Sequence, residues 1–146
     1  MKALILCNDF PPINSIGAER PYSWFLYFKE NGIEPIVITK NWISSDHSTF
    51  NKVSKKTIRE QTNNGLLIKA GFRLTPSLLW REIFKNKFST IRKALSLLDK
   101  IFSFIVMNFD NNRSIYFEAD KYLAKHDVDI IITTGEPFIL FRYGYL

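Results

Sequence analysis

Two short stretches of this chain combine residue types suited to an anionic or hydroxyl-rich ligand. The first is Ile16-Gly17-Ala18-Glu19-Arg20, which follows the turn-rich Asn8-Asp9-Phe10-Pro11-Pro12-Ile13-Asn14-Ser15. A glycine at a helix start lets a ligand approach the backbone, and the unsatisfied N–H groups and positive dipole end there suit a phosphate. Ser15, Ile16, Gly17, Ala18 and Arg20 are therefore candidate phosphate-facing or cleft residues. Gly17 equally serves a loop that is merely tight, and one glycine makes neither a P-loop nor a GxGxxG fingerprint. The second stretch, Thr133-Thr134-Gly135-Glu136-Pro137-Phe138, adds Thr134, Gly135 and Glu136. Glu136 reads either as a helix cap favoured by the dipole or as a carboxylate that binds a sugar hydroxyl or assists proton transfer. It is the one candidate catalytic residue.

Both stretches follow segments that read as buried strands. Residues 3–7 form a short continuous apolar run, the pattern of a strand covered on both faces. Gly17 to Asn31 reads as a helix with Pro21 in its first turn and Trp24, Phe25, Tyr27 and Phe28 facing the sheet. Pro35–Thr39 is a second buried strand, which completes a βαβ unit and calls for a parallel sheet. Two short strands, 57–61 and 66–70, flank Asn63-Asn64-Gly65. From Leu78 to Phe109, apolar residues recur at spacings of three and four, as one helix or two. The simplest account of that stripe packs it on the sheet. A helix over Ser114–Lys125 leads to a third buried strand, 128–134, and a final helix opens after Pro137. The expected fold is α/β, a Rossmann-like parallel sheet with helices on both faces. A sheet that stops on a strand and a half-formed helix leaves an edge uncovered, so residues 1–146 read as a single domain incomplete at its C-terminus.

The chain has 146 residues, 46% of them hydrophobic and 15% aromatic, which is enough for a core and unlike a disordered tail. No stretch reaches the roughly 20 apolar residues of a spanning helix. The first residues stop at Asn8-Asp9 without a small-residue cleavage site, so they read as a strand and not a secretory signal. The net charge of +6 is unevenly placed: 52–100 holds 12 Lys/Arg against three carboxylates, +9, and the remainder stands at −3. Arg81, Lys85, Arg92 and Lys93 form a candidate surface for an anionic partner or membrane, against a merely solvated face. Cys7 is one lone thiol in a core strand, with no base partner in view. His47 and His126 lack partners at ligand spacing, so no metal site is expected. The basic and aromatic residues of 80–104 carry no nucleic-acid motif, so no nucleic-acid partner is expected.

The stretch from Phe10 to Trp24, Phe-Pro-Pro-Ile-Asn-Ser-Ile-Gly-Ala-Glu-Arg-Pro-Tyr-Ser-Trp, resembles the opening of family 4 glycosyltransferases of the GT-B fold. Ile131 to Phe138 is similar to a later N-domain segment of bacterial members. The likeness is weak over 45–110, and Gly17 is followed by Ala18 where many members carry two glycines. The resemblance implies the N-terminal half of a two-domain enzyme that moves a sugar from a nucleotide-sugar donor to a glycan or lipid-linked acceptor. Gly17 would face the donor phosphates, a C-terminal domain would hold most of the donor, and the half-domain alone would be inactive. No bound metal or other cofactor is implied, and the setting would be cytoplasmic, peripheral at the inner membrane face. Two alternatives stand beside it: a nucleotide-sugar 2-epimerase of the same fold, and a non-enzymatic binding module for an anionic polymer or lipid.

Overall fold

The structure is a computed structural model describing residues 1–43, 54–84, 88–105, 110, 112–135 and 138–145. The apolar runs become strands: β1 (Lys2–Cys7), β2 (Glu34–Lys40), β4 (Leu66–Ala70) and β5 (Ile130–Thr134) are parallel, and β3 (Ile58–Gln61) pairs antiparallel with β4. Their order is β3-β4-β2-β1-β5. The chain therefore moves outward from β1 through β2 to β4, then returns past β1 to place β5 on the other side. Connections of one hand made in opposite directions put their helices on opposite faces. Accordingly α1 (Ile16–Tyr27) covers Ile5, Cys7, Val37 and Leu67 with Phe25, while α4 (Arg113–Leu123) and α5 (Ile139–Tyr145) cover Leu4, Leu6, Ile36 and Ile38. The fold is the expected Rossmann-like α/β architecture, with one antiparallel strand at its edge.

Local chemistry explains the element ends. Ser15 caps α1 by accepting a hydrogen bond from the Ala18 N–H at 3.1 Å, a contact worth about 1 kcal/mol in such positions. The helix turns into a short 3₁₀ segment, Lys29–Asn31, and stops where Gly32 takes φ +72°, a conformation that glycine adopts without Cβ strain. Gly65 closes the β3–β4 turn against β2: a Cβ there would lie 2.2 Å from the Pro35 carbonyl oxygen.

Three expectations are corrected. Tyr27 faces solvent, because Trp24, Phe25 and Phe28 complete the sheet-facing side of α1. The strand at 128–134 is not buried on both faces: β5 pairs only with β1 among the described residues, and Ile130 and Ile131 are exposed. The Leu78–Phe109 pattern divides into α2 (Pro76–Phe84) and α3 (Ser89–Ile105), which pack on each other and not chiefly on the sheet.

Candidate functional site

In an open parallel sheet, ligands bind beyond the C-terminal strand ends where the strand order reverses. Here the reversal falls between β1 and β5, whose last paired residues are Cys7 and Thr134. The Asn8–Ser15 loop and Gly135 follow these two ends, so the two stretches chosen from sequence start from adjacent strand ends, and only the first of them lines the concavity beside it. Thr134 is buried at the end of β5, and Gly135 turns the chain away with φ +85°.

β2 holds the start of the first loop. The Asn8 carbonyl accepts hydrogen bonds from Thr39 Oγ1 at 3.1 Å and from Trp42 Nε1 at 2.8 Å. Beyond it, Asp9 gathers the polar groups of the loop: Asn8 Nδ2 donates to its Oδ1 at 2.6 Å and Ser15 Oγ donates to its Oδ2 at 3.0 Å. The Asn8 Oδ1 atom is buried without a partner. Ser15 and Ala18 line a concavity of about 180 Å³ together with Pro11, Ile13, Asn14, Glu19 and Tyr22. Small-molecule sites usually span roughly 300–1,000 Å³, so this hollow accommodates one sugar ring or a phosphate group and not an entire nucleotide-sugar. A larger concavity of about 280 Å³, lined by Lys29, Glu34, Gln61 and Gly65 among others, lies at the opposite end of β2. Its position at the N-terminal strand ends, and not its size, removes it from consideration.

Gly17 separates the two readings of its loop. It lies within α1, is exposed, and a Cβ built there would meet Asp9 Oδ2 at 3.4 Å and Ser15 Oγ at 3.6 Å, ordinary contact distances. The fold does not need glycine at this position. Ile16 is 86% exposed and Arg20 is exposed outside the hollow, so neither joins Ser15 and Ala18 there. Glu136 and Lys85 lie outside the described residues. Arg81, Arg92 and Lys93 sit on α2 and α3 and do not line the hollow.

The structure adds a polar cluster that spacing did not reveal. Lys40, at the C-terminal end of β2, is the only charged side chain buried among the described residues. Its ammonium stands 5.5 Å from the ring centres of both Trp42 and Phe72. Burial lowers its pKa from 10.5 to about 8, against the opposing pull of Asp110 and Asp9. Asp110 accepts hydrogen bonds from the Tyr143 hydroxyl at 2.5 Å and from the Asn112 N–H at 2.6 Å. Burial first, and then the Asp110 carboxylate, hold the Tyr143 phenol far above its usual range, so it stays a hydrogen-bond donor. Burial pushes the Cys7 thiol up to about 12, which keeps it protonated at neutral pH. Among the described residues, no three His, Cys, Asp or Glu side chains gather as a metal site.

Comparison with family models, curated proteins and solved structures finds no match to the chain. The class that the fold itself defines is an α/β sheet of Rossmann-like strand order whose order reverses between β1 and β5.

Proposed function

We propose that this chain is the acceptor-side half of a sugar-nucleotide glycosyltransferase. One observation carries the reading: both stretches that resemble such enzymes lie at the C-terminal ends of the adjacent strands β1 and β5, where an open α/β sheet binds its ligand. The exposure of Gly17 supports it further, since an exposed glycine that the fold does not require leaves the backbone accessible to a ligand.

In this reading, the Ser15–Ala18 turn and the α1 dipole face the donor phosphates. Asp9, held by Asn8 and Ser15, fixes the geometry of the loop that carries this turn. The hollow takes a single sugar ring, and most of the nucleotide-sugar is held by a second domain, so transfer belongs to the two together. The acceptor is a glycan or a lipid-linked sugar, and no residue is assigned to the bond-making step.

Calorimetric titration of the chain with common nucleotide-sugars tests the division of labour. The expected affinity is millimolar or weaker, and submicromolar binding by the chain alone would assign the donor to the wrong half. Gly17→Val in the transferring enzyme is expected to lower transfer at least tenfold with the fold intact. Unchanged transfer by a well-folded variant would remove the phosphate role.

A further inference from the structure

Helix α3 of the α2–α3 hairpin is inside out. At 100° per residue, the apolar positions of α3 fall on one arc of about 180°, and Arg92, Ser96, Asp99 and Ser103 fall on the other. A helix that closes a core covers its apolar arc. In α3 the half-buried positions are instead Arg92, Ser96, Asp99 and Ser103, joined by Leu95 alone from the apolar arc among the described side chains. Asp99 accepts a hydrogen bond from the Ser77 N–H at 3.0 Å, and the Ser103 carbonyl accepts one from Arg142 at 3.1 Å. Leu97, Leu98, Ile101 and Ile105 face solvent, Leu97 at 60% and Ile105 at 70% exposure. Ile83 of α2 and Phe88 between the helices are exposed as well.

In sequence, residues 76–105 hold six Lys or Arg against two carboxylates. Of the described charges on α3, Arg92 and Asp99 lie on the inward polar arc, where Ser77 engages Asp99, and those that border the apolar arc are positive. Lys93 and Lys100 are exposed at one margin of the apolar arc, where long aliphatic stems cover apolar surface and carry their ammonium groups outward. A second copy docked on this face in an isologous contact would bring like-charged margins together, which is unfavourable. An anionic leaflet matches both the apolar arc and its basic margin.

We propose that the α2–α3 face docks on the surface of an anionic lipid bilayer, with its apolar side chains at the headgroup boundary and its lysines among the lipid phosphates. The helices lie on the bilayer, and no described helix is long and apolar enough to cross it. The inference stands apart from what the crevice binds.

Co-sedimentation of the chain with vesicles tests it. The chain is expected to sediment with phosphatidylglycerol-rich vesicles at low salt, to remain free with phosphatidylcholine alone, and to be released as salt rises. Lys93→Gln and Lys100→Gln each weaken binding about fivefold. The Leu97→Glu, Ile101→Glu double variant loses binding while unfolding at the wild-type temperature, because neither side chain contributes to the core. Absence of binding to the phosphatidylglycerol-rich vesicles overturns the proposal, and so does a double variant that binds as well as wild type. A lipid-free dimer that the double variant dissolves gives the face to a second copy and overturns it too.

Discussion

Ile38 of β2 is fully buried between its neighbours, whereas Leu97 of α3, a side chain of the same size, stands 60% exposed. The two residues belong to regions with opposite organisation. In the sheet, the apolar sides of α1, α4 and α5 turn inward onto the strands. In the α2–α3 hairpin, polar positions of α3 turn inward and the apolar arc turns out. Burying an aliphatic side chain stabilises by roughly 1.5–3 kcal/mol, so the sheet draws its stability from its own residues. The hairpin leaves that gain available to whatever covers it. The difference teaches that apolar content alone does not show where a core lies.

The sharpest way to break this comparison is to truncate one side chain in each region. Ile38→Ala is expected to cost about 2–5 kcal/mol in denaturant unfolding, and Leu97→Ala no more than about 0.5 kcal/mol. Comparable losses would mean that the hairpin's apolar arc belongs to the core. Gly65→Ala comes next: its Cβ would overlap the Pro35 carbonyl, so a loss of about 1–3 kcal/mol is expected from the same unfolding curves.

Lys40 sharpens the comparison from within the body, as a charge buried at a cost. Its pKa is lowered from 10.5 to about 8, so below pH 8 the folded chain carries a desolvated ammonium. Between about pH 8 and 10.5 the folded chain has released a proton that the unfolded chain still binds, and stability rises with pH through that window. Lys40→Met is expected to unfold at a higher temperature at pH 7, by the equivalent of about 1–2 kcal/mol, with the advantage shrinking above pH 10. The gain stays below the full shift because Asp9 and Asp110 lose their counter-charge. A destabilised variant at pH 7 would show that Asp9, Asp110 and Lys40 form a net stabilising network. The smallest expected effect is Gly17→Ala, neutral or stabilising by about 0.5–1 kcal/mol because the helix has room for the methyl group. A measurable loss would restore the tight-turn reading of Gly17.

Much of this architecture was legible in the residues, for physical reasons. β1 and β2 are apolar runs of strand length, and Gly32 marks the end of the first helical region, whereas Pro21, expected in the first turn, is the sixth residue of α1 because the Ser15 cap starts the helix at Ile16. Two things were not legible. Periodicity reveals that α3 has an apolar arc but is blind to the direction that arc faces, and likewise the run at 130–134 does not tell an edge strand from a central one. The polar cluster was hidden by distance along the chain: Lys40, Asp110 and Tyr143 share no motif and are linked only in the fold, through Asp110, which accepts from Tyr143 and whose charge acts on Lys40. Lys40 left one signal, a lysine closing a buried strand run immediately before Asn41-Trp42.

The central claim rests on the adjacent ends of β1 and β5, and amide chemical shifts of the isotopically labelled chain test it most directly. On addition of a nucleotide-sugar at millimolar concentration, the account predicts that the amides of Ser15, Ile16, Gly17, Ala18, Thr134 and Gly135 move together, while those of α3 stay still. Shifts confined to the concavity at Gly32 and Gly65, or no shifts at Ser15–Ala18 with any nucleotide-sugar, would contradict it.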